Sequence, residues 1–190
     1  MSQSNRISGG QIDRSKTFRF TFDGMPYTGH PGDTVASALL ANGVRLMGRS
    51  FKYHRPRGVV ASGAEEPNGL VNLGKDNTFE PNQRITTTEL FDGLTATSQN
   101  HWPSLEFDVG VINTYFSRFM PAGFYYKMFI HPRPFWKHIY EPMIRQAAGL
   151  GKAPKDRDTD TYEHFNASFD VMVVGGGIAG LAAAHSAGQS

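Results

Sequence analysis

The chain has 190 residues, and its content of 39% hydrophobic and 19% charged residues is ordinary for a globular protein, which argues against disorder of the whole chain. Its formal charge of +2 gives no general case for nucleic-acid binding. The chain contains no cysteine, so disulfides and thiolate ligands are excluded, and we expect no iron–sulfur cluster.

The chain begins with polar residues and glycines, and residues 1–16 are interpreted as a flexible arm. This start lacks the apolar core of a signal peptide, and no later run approaches the length that spans a bilayer. We therefore expect a cytoplasmic protein that is not bound to a membrane.

A hairpin and a short helix are predicted next. Phe18, Phe20 and Phe22 alternate with polar residues, as in a half-buried strand, and Asp23 with Gly24 is typical of a hairpin turn. The return strand leads into a predicted short helix.

Asp33 or Thr34 is placed to cap this helix, and Val35 and Leu39 form its apolar stripe. Two strands followed by a short helix are typical of the start of a β-grasp domain of the plant-ferredoxin type, although any small α+β domain fits the same pattern. We predict the domain over residues 17–98.

Residues 99–165 are predicted to form a helical, aromatic-rich connector that ends in a polar linker. Prolines such as Pro121 and Pro132 limit any helix in it to short pieces. The many aromatic rings favour packing against another domain or subunit, while packing within a core of the same chain is an equal alternative. From Lys152 to Asn166 the residues are polar and charged, as in a surface linker.

A glycine-rich motif follows an apolar run at residues 169–174 and precedes an alanine-rich stretch. In a dinucleotide-binding motif, Gly175 makes the tight turn, Gly177 lets the backbone approach a pyrophosphate, and Gly180 lets the helix lie close to the strand. Residues 166–190 are therefore predicted as the start of a Rossmann-type domain that binds NAD or, alternatively, FAD. The fold class predicted for the whole chain is α+β followed by α/β.

The acidic residue that would help to distinguish NAD from FAD is expected about 20 positions further on, beyond Ser190. One strand and one helix cannot form a sheet by themselves. We therefore expect the 190 residues alone to bind no dinucleotide tightly and to have no activity.

Several long blocks of the sequence resemble the alpha subunits of heterotetrameric sarcosine oxidase. The most specific block is Gly-Arg-Ser-Phe-Lys-Tyr-His-Arg-Pro-Arg-Gly at residues 48–58. Further blocks lie at residues 20–27, 32–44, 65–68, 99–105, 121–127, 140–142 and 147–151. The resemblance covers nearly the whole chain, which is interpreted as the front end of a longer subunit.

The resemblance implies a ferredoxin-like domain that lacks the cluster, followed by a domain that binds NAD. It also implies beta, gamma and delta subunits as partners, with FAD and FMN in the assembled complex. That complex oxidatively demethylates sarcosine to glycine with oxygen and tetrahydrofolate, and yields hydrogen peroxide and methylene-tetrahydrofolate. Within this chain the implied site residues are Gly175, Gly177 and Gly180, which would bind the dinucleotide, and no catalytic or metal-binding residue is predicted.

Two other functions remain open from the residues themselves. The chain is alternatively a subunit of a related opine or amine dehydrogenase, or a non-catalytic β-grasp interaction module. The run of cations at Arg49, Lys52, Arg55 and Arg57 is open to three interpretations. It would hold a flavin phosphate, face an acidic partner subunit, or be a solvated loop.

Overall fold

The structure is a computed structural model that describes residues 3–123, 129, 131–147 and 151–189. It divides into two compact units, Met1–Thr159 and Asp160–Ser190. Within the described ranges, no helix combines the length and the apolar character that a bilayer crossing needs.

A hairpin of strands β1 (Phe18–Phe22) and β2 (Met25–Gly29) opens the first unit. The strands are antiparallel, and Phe20 lies opposite Tyr27. Asp23 and Gly24 both have a positive φ, which is the backbone of the tight turn that their types predict. The alternation places Phe20 and Phe22 in the core.

Helix α1 (Val35–Ala41) begins at a capping box. The Thr34 side chain accepts from the backbone N–H of Ser37, and the Ser37 hydroxyl accepts from the backbone N–H of Thr34. Its buried residues lie on the side that faces the sheet, where Val35 and Leu39 are fully buried. The predicted cap and apolar stripe are confirmed.

The first unit contains the further strands β5 (Leu70–Leu73), β6 (Glu80–Arg84) and β7 (Thr95–Ser98). Together with the hairpin they form a five-stranded sheet in the order β2-β1-β7-β5-β6. Only the β1/β7 pair is parallel among these described strands. A small second sheet joins β3 (Gly48–Arg49) to β4 (Pro56–Arg57).

One hydrophobic core lies between helix α1 and the sheet. Its buried members are Phe20, Phe22, Val35, Ala36, Ala38, Leu39, Met47, Val71, Ile85, Leu90, Leu94, Ala96 and Leu105. The architecture of this unit is therefore α+β, and its core draws on residues from Phe20 to Leu105.

Short helical pieces follow strand β7. They are the 3₁₀ turns Val109–Thr114 and Ser117–Phe119, the α-helical turn Arg133–Phe135, the π-helical turn Trp136–Tyr140 and the α-helix Glu141–Ala147. Aromatic side chains of these pieces are exposed, among them Phe119 and Phe135.

In the second unit, the predicted Rossmann-type start over residues 166–190 is not formed, which corrects the predicted fold class. Residues 169–174, all of them described, have no strand, and Val174 is 87% exposed. The physical reason is that a parallel strand needs neighbouring strands to satisfy its hydrogen bonds and to cover both faces. The predicted helix is present as Ile178–Ala187.

Candidate functional site

The glycine motif forms a turn that leads into the helix Ile178–Ala187. Gly177 is the residue that caps this helix, and Gly175 has a φ of +112°, which favours glycine. A Cβ on Gly180 would collide with the carbonyl oxygen of Gly175, so a larger residue there would push the turn away from the helix. A Cβ on Gly176 or Gly177 would meet nothing within 4 Å.

The three predicted dinucleotide-binding residues are therefore brought together in one turn. The first N–H groups of a helix have no intrahelical acceptor, and they face an anion readily when the approach is open. The open space at Gly177 is compatible with such an approach, while the tasks of Gly175 and Gly180 are conformational.

The basic loop, residues 49–58, is held against the segment that follows β7. Arg49 is only 9% exposed. Its guanidinium donates to the carbonyl oxygens of Leu105 at 2.6 and 2.9 Å, of Glu106 at 3.0 Å and of His54 at 3.1 Å. Arg49 thus fixes the loop to a stretch of chain more than 50 residues away.

A buried, hydrogen-bonded pair of side chains lies beside Arg49. His54 Nδ1 is 2.6 Å from Asp108 Oδ2, and the Asp108 side chain is fully buried. Burial by itself would raise the pKa of Asp108, but the N–H of Gly110, the His54 ring and the N–H of Trp102 together lower it below its ordinary value. The His54 ring leaves no room for a Cβ on Gly110.

The other cations of the basic loop have different surroundings. Lys52 Nζ donates to the carbonyl oxygen of Pro121 at 3.2 Å. The Arg55 guanidinium lies 4.9 Å from the centre of the Tyr53 ring, in a cation–π contact. Arg57 is exposed on strand β4. The four cations therefore do not converge on one anion.

Glu66 is a buried carboxylate whose burial and hydrogen bonds are not evident from the sequence. Its side chain is fully buried and accepts four backbone hydrogen bonds, from the N–H groups of Val60, Ala61, Asn68 and Gly69 at 2.7–3.3 Å. Burial would raise the pKa of Glu66, but these donors lower it below its ordinary value. The turn-rich run Glu-Pro-Asn-Gly around it was the only signal in the sequence.

A family of 2Fe-2S iron-sulfur cluster binding domains matches residues 15–101. This match agrees with the predicted ferredoxin-like domain. It contradicts the prediction that the fold and the cofactors include no iron–sulfur cluster. The residues present do not fit such a group, because the chain has no cysteine. Among the residues that the structure describes, no group of three or more His, Asp or Glu side chains is placed to hold a metal ion.

One solved structure shows a weak likeness. The crystal structure of L-proline dehydrogenase from P. horikoshii is 21% identical and aligns with a TM-score of 0.36, over 47% of this chain and 17% of that chain. A likeness at this level carries no conclusion about fold or function.

The sequence itself has much closer relatives. It is 56% identical to the sarcosine oxidase subunit alpha of Rhizobium meliloti (strain 1021), over 100% of this chain and 19% of the relative. It is 32% identical to the sarcosine oxidase subunit alpha of Corynebacterium sp. (strain U-96), over 100% of this chain and 16% of the relative. The resemblance to sarcosine oxidase alpha subunits found in the sequence is thus confirmed, and the chain spans less than a fifth of the length of these two relatives.

Proposed function

We propose that this chain is part of an oxidoreductase subunit of the sarcosine oxidase type, which acts within a complex of several subunits. The observation that carries the proposal is the 56% identity along the entire chain to a sarcosine oxidase subunit alpha. The proposed reaction of the assembled enzyme is the oxidative demethylation of sarcosine to glycine, with oxygen and tetrahydrofolate as further substrates. Its proposed partners are beta, gamma and delta subunits.

The proposed role of the glycine turn is to bind the pyrophosphate of a dinucleotide. Gly177 supports this role, because its Cα is open and lies at the positive end of a ten-residue helix. Such a cofactor supplies hydride or electron transfer when it is bound. The contribution of this chain is to hold the charged pyrophosphate through backbone N–H groups, with Gly175 and Gly180 setting the shape of the turn.

The substrate site is proposed to lie outside these 190 residues. Ser98 Oγ lies 2.8 Å from His101 Nε2, but it also donates to Asp23 within the fold. The buried carboxylates Glu66 and Asp108 are likewise occupied by hydrogen bonds within the fold. The basic loop and the exposed aromatic residues after β7 are proposed to face other parts of the assembly. Their role is therefore to position the complex and not to carry the reaction.

The dinucleotide role is tested by Gly177→Val in the complete gene product, with NAD and FAD titrated separately. The valine side chain would occupy the space that the pyrophosphate needs, so we expect affinity to fall by about tenfold or more. Gly176→Ala is the matched control, because its Cβ also meets nothing within 4 Å. Unchanged affinity in a folded Gly177→Val protein would rule out this role.

The reaction is tested by oxygen uptake of the co-expressed complex with sarcosine, with and without tetrahydrofolate. We expect oxygen consumption and hydrogen peroxide from a coloured hetero-oligomer, and none from the 190-residue chain alone. A complex that is inert to sarcosine but oxidises an opine or another secondary amine would favour the related dehydrogenase. A complex that forms but oxidises no amine would favour the interaction module.

A further inference from the structure

A cavity of about 190 Å³ lies beside the small sheet of the first unit, away from the glycine turn. Its polar lining includes Arg49, Ser50, Arg57, Asn68, Gln99 and Asn100. Gly48 and Leu70 also contribute to its wall. Among these described lining residues, none carries a carboxylate, so the cavity has two arginines and no anion of its own.

Arg49, behind this cavity, is not paired with a carboxylate of the described residues, and the nearby Asp108 is bonded to His54. Its acceptors are backbone carbonyl oxygens, and within the described part of the chain it forms no ion pair. Carbonyl groups satisfy the N–H donors but leave the positive charge in place, and a buried charge without a counter-ion is costly. The cavity wall is therefore electropositive.

Arg57 adds a second charge at the rim. Its backbone lies in strand β4, where its carbonyl oxygen accepts from the N–H of Met47 at 2.9 Å. Its side chain is exposed and forms no ion pair with the described residues. The guanidinium is thus available to a ligand, and the strand does not depend on it.

Glu66 is the carboxylate closest in sequence to the cavity lining. It is directed into the loop 60–69, where four backbone N–H groups bind it, and it does not line the cavity. Its negative charge stays in that loop, so it does not replace an anion inside the cavity.

Asn100 supplies an independent sign that a partner is missing. Its residue is 8% exposed, and its Nδ2 donates to the carbonyl oxygens of Arg49 at 3.2 Å and Ser50 at 2.7 Å. These two acceptors fix the orientation of the amide, and Oδ1 is left buried without a hydrogen-bond partner. A buried acceptor in this state is satisfied by an ordered water or by a donor group of a ligand.

We propose that this cavity binds a phosphate-type oxyanion in a protonated form, either free phosphate or the phosphate monoester of a larger ligand. Arginine binds phosphate oxygens through parallel N–H donors, which suits Arg57 at the rim. The P–O–H group supplies the donor that Asn100 Oδ1 lacks. This site is separate from the proposed dinucleotide site and does not depend on it.

The test is calorimetric titration of the complete gene product with inorganic phosphate at constant ionic strength. We expect Arg57→Gln to weaken phosphate binding by about tenfold, the loss of a charge-assisted contact. Arg55→Gln is the matched control, because Arg55 belongs to the same loop but lies over the Tyr53 ring and does not line the cavity. We expect it to leave phosphate affinity unchanged.

Two further titrations distinguish free phosphate from a phosphate monoester, and this cavity from the glycine turn. Ribose 5-phosphate binding more tightly than phosphate would assign the cavity to a monoester, and the reverse order would assign it to the free ion. Gly177→Val should leave both unchanged, which separates this site from the glycine turn. Equal phosphate affinity in the wild type and Arg57→Gln, or sulfate binding as well as phosphate at neutral pH, would overturn the proposal.

Discussion

The sheet unit, which is the first unit (Met1–Thr159), and the second unit, which contains the glycine turn, have similar apolar residues that differ in burial. Val71 in strand β5 is fully buried, whereas Val174 before the glycine turn is 87% exposed. Strand β5 has β6 on one side and β7 on the other, while residues 169–174 have no strand and no neighbouring strand in the second unit. The difference teaches that apolar content specifies a strand only where neighbours supply hydrogen bonds and a cover.

The largest expected effect on stability comes from replacing one leucine in each unit by alanine. Leu39→Ala removes a fully buried side chain from the core and should lower the free energy of unfolding by about 3 kcal/mol. Leu181→Ala removes a side chain that is 63% exposed, so its effect should stay within about 0.5 kcal/mol. Urea denaturation followed by circular dichroism measures both. Equal losses would mean that the second unit is covered in solution.

A smaller effect is expected at the buried carboxylate of the sheet unit. Glu66→Gln places an NH₂ group among four N–H donors and should cost about 2 kcal/mol of unfolding free energy, because buried donors lose their acceptor. Glu65→Gln is the control, since Glu65 is exposed. Equal stability of the two variants in urea would show that Glu66 does not organise its loop.

A smaller effect is expected from the ion pair that joins the start of the chain to the rest of the sheet unit. Arg6 donates to both carboxylate oxygens of Asp33, at 3.1 and 2.7 Å, and the Asp33 side chain is fully buried. Arg6→Gln should cost about 1 kcal/mol, because Ser37 and the N–H of His30 still bind Asp33. Arg14, in the same stretch, donates to backbone carbonyl oxygens only, so Arg14→Gln is the control. A Tm that is equal in both variants would argue against the tie.

The last comparison concerns pH and has its effect only in acid. Burial would raise the pKa of Asp33, but Arg6, Ser37 and the N–H of His30 lower it, so Asp33, Glu66 and Asp108 all have lowered pKa values. A lowered pKa in the folded state contributes stability that is present above the unfolded value of about 4 and is lost as pH falls through the folded value. Stability should therefore decline below about pH 4. In Glu66→Gln this decline, measured by urea midpoints, should be shallower; an unchanged pH profile would contradict the assignment.

The hairpin and helix α1 were predictable because their signals are local: alternating phenylalanines, a two-residue turn and a capping residue. The contacts of the basic loop were not. Arg49 meets the carbonyl of Leu105 across 56 positions, and His54 meets Asp108 across 54. The sequence therefore left the run of cations open to three interpretations, and it did not reveal that a distant segment covers part of the run. The three glycines were found from their spacing, and their role as a dinucleotide site stays a prediction, as do the domain boundaries.

Strands β1 and β7 lie side by side in the middle of the sheet, although they are among its first and last strands along the chain. Asp23 and Ser98, which join their ends by hydrogen bonds, are 75 positions apart. The sheet therefore cannot close during synthesis until the residues near position 98 have left the ribosome. Pairing over such a distance is slow relative to local helix formation, since the entropy of closing the loop is lost before the contacts are gained. The hairpin and helix α1 are consequently expected to wait, with their apolar faces uncovered, for the strand that completes the core.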